Sequence, residues 1–405
     1  MYDLILCGNA YVNGRITYAE IGILDGKIAA VRKSLRGGER VEIEDGTIFP
    51  AATDIHVHFR EPGLTHKEDF LTGTAAAACG GVTMVAEMPN TVPFVDSLSL
   101  LREKMRLVEG KAIVDFALYL GVSPSTLRED LAAARYVKLY LSETTNAVEG
   151  GIRDIPPGPF VSVHAEEASC IVRGTPRDLI EHHRMRPVEC EVRAVERLCD
   201  AGRSFHIAHA TSFEAVYAAK GCGFTVEVTP HHLLLRATEE ADPFRKVNPP
   251  LRPSHVVEGL WDALGSVDVM ASDHAPHTPE EKEDFKGAPS GIPGVETMVP
   301  LMFRLHRDGR IRLDTLVRLT METPPSLLGV RKGRIAEGYD ADLMVVNLGD
   351  VRTIHGADMH SRAGWTPYEG WEAIFPSHVM LRGEFVVEDG ELVGTPGMGI
   401  CVHKR

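Results

Sequence analysis

Paired cysteines, long apolar runs and basic charge are what this chain has little of. Its seven cysteines (Cys7, Cys79, Cys170, Cys190, Cys199, Cys222 and Cys401) are scattered, odd in number and nowhere spaced as CxxC. No signal-like leader opens the sequence. Together these features argue against a disulfide scaffold and point to reduced thiols in a cytoplasmic protein. No apolar run approaches the roughly 20 residues that span a bilayer, so no membrane is expected as a partner. Lys and Arg number 43 against 57 Asp and Glu, a formal net charge of −14. A general nucleic-acid binder normally shows a basic face, so this charge argues against that class. An anionic small molecule remains admissible if a local cluster of Arg, His, backbone N–H groups or metal captures it.

What is present is ordinary globular composition, 44% hydrophobic and 25% charged, over 405 residues. That length holds two domains, or one large barrel with an extension. Residues 1–50 read as small β structure, with Ile21–Val31 forming a strand, an Asp25-Gly26 turn and a second strand. The C-terminal end is similar, with a strand at Asp342–Val346 and a hairpin over Val379–Val387. Neither end carries enough apolar surface to stand alone. We therefore expect residues 1–50 and 335–405 to pair into one small β-sandwich domain, with 51–334 inserted between them. The middle alternates strand and helix. Eight strand cores are expected at Asp54–His58, Thr83–Met88, Val114–Leu120, Tyr136–Leu141, Phe160–His164, Ser204–His209, Thr225–Val228 and Val267–Ser272. Pro187–Ala201 and Phe213–Lys220 have helical character. Eight such repeats in about 280 residues indicate a (β/α)8 TIM barrel, an α/β fold. A doubly wound sheet is the alternative; polar residues recurring at strand C-terminal ends favour the barrel.

The chemistry gathers at those ends. His56 and His58 alternate with apolar residues on the first strand, so both rings point the same way. Arg60 follows on that face, placed to hold an anion. Lys138 sits inside the apolar strand Val137-Lys138-Leu139-Tyr140-Leu141. It either snorkels to water at a strand end or carries a functional amine. A buried lysine with a depressed pKa can take up CO2 as a carbamate, whose two oxygens serve two metal ions. His164 and Glu166 end the fifth strand, His206 and His209 the sixth, and Asp273, His274 and His277 follow the eighth. Taken singly, each histidine reads as a satisfied core or loop residue. Jointly, His56 and His58, Lys138, His164, a histidine of the sixth strand (His206 or His209) and Asp273 collect at one barrel face, a donor set that suits catalytic zinc.

The segments His56-Val57-His58-Phe59-Arg60-Glu61-Pro62-Gly63, Glu87-Met88-Pro89-Asn90-Thr91 and Ala271-Ser272-Asp273-His274-Ala275-Pro276-His277-Thr278 carry a resemblance. Thr65–Phe70, Lys138–Leu141 and Ala363–Gly370 extend it over nearly the whole length. The chain resembles the amidohydrolase superfamily and, within it, the dihydroorotases. The resemblance implies reversible cyclisation of N-carbamoyl-L-aspartate to (S)-dihydroorotate with loss of water, the third step of de novo pyrimidine biosynthesis. It also implies two Zn2+ per chain. His56, His58 and Asp273 would hold one ion and His164 and His209 the other, bridged by N6-carboxylated Lys138 and a hydroxide. Asp273 would be the general acid/base. Arg60, Asn90 and His277 would hold the substrate carboxylate, with Asn248 and Gly291 against the ring. A homodimer and association with other pyrimidine-pathway enzymes are the family-level partner expectations.

His231, His232 and His206 stay unassigned by the sequence. Glu227 is a weak candidate for an additional metal. The polar loop His277–Gly291 reads as solvated, with a lid as the alternative. Hydantoinase or allantoinase-type cyclic amidase activity is the nearest rival function. A non-catalytic dihydroorotase-like scaffold is the rival of another class, disfavoured because every ligand position is filled.

Overall fold

Eight short parallel strands are buried along their length, as both faces of a barrel strand require. The computed structural model describes residues 1–152 and 155–404. The barrel strands are β1 (Ala52–Val57), β2 (Val82–Glu87), β3 (Asp115–Leu118, resuming at Leu120–Gly121), β4 (Tyr136–Tyr140), β5 (Phe160–His164), β6 (His206–Ile207), β7 (Thr225–Val228) and β8 (Val269–Met270). Every residue of β1, β2 and β4 is buried. Neighbours pair in chain order, with Lys138 opposite Ser162 and His206 opposite Thr225. The ring closes where Val57 bridges His274 in parallel and the His58 N–H donates to the His274 carbonyl at 2.7 Å. Buried Asp54 reinforces that seam, its Oδ1 accepting from the backbone N–H groups of His56 and Ser272, each at 3.2 Å. Burial pushes the Asp54 pKa up to about 7.

Between strands, helices start where the sequence offers caps. Asp69, Ser97 and Ser212 each accept a backbone N–H from the first turn of the helices Phe70–Cys79, Leu98–Val108 and Phe213–Gly221. Both chain ends enter one nine-stranded sheet. Thr47–Pro50 runs antiparallel to Leu343–Val346, with Ile48 opposite Val345. Leu6, Ile21, Ile48, Leu343 and Met380 share its apolar core. The fold is a TIM barrel with a β-sandwich domain built from both ends.

Three expectations change. The sixth and eighth ladders are shorter than the apolar runs, covering only His206–Ile207 and Val269–Met270. The chain leaves the ladder to place its polar residues: His209 and Asp273 adopt φ of 38° and 47°, a region that costs a non-glycine residue energy and recurs at functional sites. Second, the cysteines are not all reduced. Cys170–Cys190 and Cys199–Cys222 are bonded, with Cα separations of 5.3 and 5.6 Å, while Cys7 and Cys79 are not. The partners lie 20 and 23 residues apart. The helix Val188–Cys199 brings them together, one end meeting the turn Ala168–Cys170 and the other the end of Phe213–Gly221. Linear spacing carries no sign of such a meeting. Third, the loop His277–Gly291 is anchored. Lys282 is fully buried and donates to the carbonyls of Pro243, Lys246 and Pro289 at 3.0, 3.3 and 2.8 Å, while Trp365 Nε1 holds the His277 carbonyl at 2.8 Å. No described helix is long and apolar enough to cross a membrane.

Candidate active site

Alternation along β1 sends His56 and His58 into the barrel mouth, their ring centroids 5.3 Å apart. Each has its Nδ1 engaged from behind. Glu227 Oε1 accepts from His56 Nδ1 at 2.7 Å, and Asn90 Oδ1 accepts from His58 Nδ1 at 2.6 Å. That arrangement turns both Nε2 atoms toward one oxygen, Asp273 Oδ1, at 3.3 and 3.1 Å. Burial lowers the His58 pKa to about 4, so its ring is neutral near pH 7 and its Nε2 carries a lone pair. Asp273 is anionic. Burial raises its pKa, but the imidazoles of His56, His58 and His209 outweigh burial and hold it well below the usual carboxylate range.

Opposite stands a second pair. His164 Nε2 faces Glu166 Oε2 at 2.9 Å, and Arg186 Nε donates to Glu166 at 3.1 Å. His164 Nδ1 is left 3.0 Å from His209 Nε2. His209 Nδ1 is buried without a hydrogen-bond partner. Burial first, then the neighbouring His164, pushes the His209 pKa well down. A neutral His209 therefore cannot satisfy both ring nitrogens in either tautomer.

These contacts fit a cation. Electron-pair donors of His56, His58 and Asp273 converge with too few protons to share, and His56, His209 and Asp273 place ligand atoms within 4.8 Å of one another. Imidazole nitrogens backed by carboxylates are the usual second layer of a metal centre. Lys138 is wholly buried, not snorkelled, with Nζ 3.3 Å from Ser162 Oγ. Burial lowers its pKa to about 8, although the charges of Glu227 and Asp273 pull the other way.

Facing the donors is a narrow cleft of about 30 Å3, lined by Arg60, Asn90, Asn248, Asp273 and Gly291 among others. Arg60 has φ of 64° and is almost wholly buried. Its Nε donates to the Pro276 carbonyl at 3.2 Å. At Gly291 (φ 140°) a Cβ would lie 2.4 Å from the Ala275 carbonyl oxygen, so the backbone there needs glycine. Asn248 Oδ1 is buried and unpartnered. His277 stands behind Arg60, outside the cleft lining. Its Nε2 is 3.2 Å from Arg60 Nη2 and its Nδ1 is 3.2 Å from Lys67 Nζ. Burial, Arg60, Lys282 and Lys67 together keep it neutral.

The unassigned histidines separate cleanly. His206 bonds Thr225 Oγ1 and Glu227 Oε2 at 2.9 and 3.2 Å. His232 bridges Thr229 Oγ1 and the Pro249 carbonyl at 2.8 and 3.0 Å. His231 Nε2 is buried without a partner, and burial lowers that ring to about 4. Sequence reading missed the supporting carboxylates Glu166 and Arg186's grip on it. Glu227, a weak candidate in the sequence for an additional metal, holds His56, His206 and, at 3.1 Å, the His209 backbone N–H. Alternation on β7 puts Glu227 in the interior, a signal that was available. We predict that Glu227→Gln weakens metal affinity about 10- to 100-fold. A chelator-competition titration checks this, and unchanged affinity would remove Glu227 from that role.

Residues 251–386 match the model of the amidohydrolase family, and residues 46–136 match the model described as dihydro-orotase-like. A dihydroorotase of Thermoplasma acidophilum is 38% identical over 417 residues, covering 99% of this chain and 98% of its own. One from Methanosarcina acetivorans is 36% identical, covering 96% of this chain and 92% of its own. Among solved structures, an L-hydantoinase (dihydropyrimidinase) from Arthrobacter aurescens superposes with a TM-score of 0.91 at 28% identity, covering 98% of this chain and 99% of that one.

Proposed function

The chain belongs to the dihydroorotase family of the amidohydrolases, and from that premise we propose that it interconverts N-carbamoyl-L-aspartate and (S)-dihydroorotate at the His56–His58–Asp273 end of the barrel. The reaction is that of a hydrolase acting on a cyclic amide, and the substrate is a small molecule. The family is metal-dependent. Two Zn2+ would be held here, one by His56, His58 and Asp273 and the other by His164 and His209, with Lys138 as its carbamate a further ligand. When bound, such ions lower the pKa of water and polarise a carbonyl.

The protein groups do the rest. In the hydrolytic direction water adds to the ring amide carbonyl and the C–N bond to the ring nitrogen breaks. Asp273, anionic and buried, takes the proton that the water gives up and delivers it to the departing nitrogen. Cyclisation runs the same proton backwards and expels water. Arg60 supplies the guanidinium that grips the substrate carboxylate not engaged in the reaction. Neutral His277, itself held by Lys67, braces Arg60 from behind. Asn90, fixed by His58 Nδ1 and by its own Nδ2–H to the Thr145 carbonyl at 2.9 Å, frames one side. Asn248 offers its unpartnered Oδ1 to a ring N–H. Glycine at position 291 leaves room for the ring.

One observation carries this reading: a buried arginine in the same cleft as Asp273, in a chain of net charge −14. Hydantoin carries no carboxylate and needs no such partner, which separates this reading from the hydantoinase activity of the structural neighbours. Turnover of dihydroorotate, hydantoin and allantoin tests it. The expected order places dihydroorotate first in kcat/KM; a preference for hydantoin would overturn it. Arg60→Lys should raise KM about 10- to 100-fold with the fold intact, since a point charge replaces a two-pronged fork. An unchanged KM would count against the assignment.

A further inference from the structure

Given the reaction proposed above, on which this rests, we propose that Tyr140 binds the substrate, its phenol O–H donating to the ureido carbonyl oxygen, the one flanked by two nitrogens. Alternation along β4 sets Tyr136, Lys138 and Tyr140 on one face of the strand, and all three are buried. Tyr140 is the last residue of the strand and pairs with His164 on β5. It lines the same cleft as Arg60, Asn90, Asn248 and Asp273. β4 lies four strands from β8 in either direction around the ring, so Tyr140 stands across the mouth from Asp273.

Its hydroxyl differs from those of two other buried tyrosines. Tyr119 Oη donates to the Ile55 carbonyl at 3.3 Å and Tyr136 Oη to the Leu328 carbonyl at 2.8 Å. Tyr140 is only 2% exposed, yet its Oη has no hydrogen-bond partner among the described residues. A buried donor left unpaired is costly, and phenylalanine would fill the same space without that cost. The ring has fixed neighbours, with Phe94 and His164 at centroid distances of 6.4 and 6.1 Å. A donor held this way in the cleft wall suits an acceptor on the substrate.

The substrate offers one acceptor that no side chain has yet met. Arg60 takes the carboxylate, Asn248 a ring N–H, and Asp273 works at the amide carbonyl that is attacked. The ureido carbonyl oxygen remains, and the reaction places charge there. The nitrogen that departs from the amide carbonyl belongs to the ureido group. The electron pair it gains is shared with the ureido oxygen until Asp273 delivers the proton. A donor already on that oxygen strengthens as the C–N bond breaks, so it lowers the barrier more than it tightens binding.

The parent and Tyr140→Phe, both metal-loaded, are to be compared on dihydroorotate and on its analogue with sulfur at the ureido carbonyl, a weak acceptor. With dihydroorotate, the variant's kcat should fall tenfold or more and its KM should change less than threefold. Its metal content and thermal midpoint should match the parent's. With the sulfur analogue, parent and variant should agree within threefold, because the hydrogen bond is weak in one and missing in the other. Comparing the two enzymes cancels the analogue's own reactivity. A variant as fast as the parent on dihydroorotate, slowed equally on both substrates, or depleted of metal would overturn the role of Tyr140 and leave the reaction standing. A parent that turns over no dihydroorotate would overturn the reaction, and this role with it.

Discussion

Asp273→Asn should leave a folded, metal-loaded protein whose kcat has fallen about a thousandfold. Proton transfer by a placed side chain contributes on the order of 10² to 10⁴ in rate, and three decades correspond to about 4 kcal/mol of barrier. The amide keeps the size and one ligating oxygen of the carboxylate but cannot accept a proton. Asp273 is the only carboxylate among the cleft-lining residues described. Its charge is held by the imidazoles of His56, His58 and His209 despite burial, and its φ of 47° aims it into the mouth. The loss should fall on kcat with little change in KM, because Arg60 is untouched. A variant carrying full metal and near-parental kcat would take the proton shuttle away from Asp273.

Lys138→Met should be comparably severe for a different reason. Methionine fills nearly the same volume in an apolar strand, so the barrel should fold and its thermal midpoint should not drop. What goes is the amine. If Lys138 carries a carboxylate that bridges two ions, the variant should hold fewer than two metals per chain and lose at least about a hundredfold in kcat/KM, or about 2.7 kcal/mol. The pH dependence follows from the direction of the shift. Lysine reacts with CO2 only as the free amine. Burial lowers its pKa to about 8, so the reactive fraction grows as pH rises through that value. Metal-free protein given bicarbonate and Zn2+ should therefore recover activity faster at pH 8.5 than at pH 6.5. Equal rates at both, or an active Lys138→Met, would contradict the bridging role.

Much of this was legible before any coordinates. Largely apolar strands, each followed by polar groups, indicate buried parallel strands, and the polar residues recurring at strand C-terminal ends favour the barrel over a doubly wound sheet. Phe160–His164 and Thr225–Val228 appear with the same ends in sequence and structure. The histidine pair on β1 was visible because period-two alternation needs no tertiary information. Less visible were features that depend on what lies across space. Glu227 holds His56 from a strand 171 residues later. Cys190 finds Cys170 only once a helix has packed. The loop around Lys282 looks solvated by composition, yet three backbone carbonyls from two segments draw that ammonium inside. The strand ends were misjudged where His209 and Asp273 leave extended geometry, which is where site chemistry overrides local preference.

The cage itself is tested most directly by native mass spectrometry of the purified chain beside elemental metal analysis. Two divalent ions per chain and a mass gain of one CO2 that acid removes are the expected results. A fully active protein holding no divalent metal, with Lys138 unmodified, would contradict the cage.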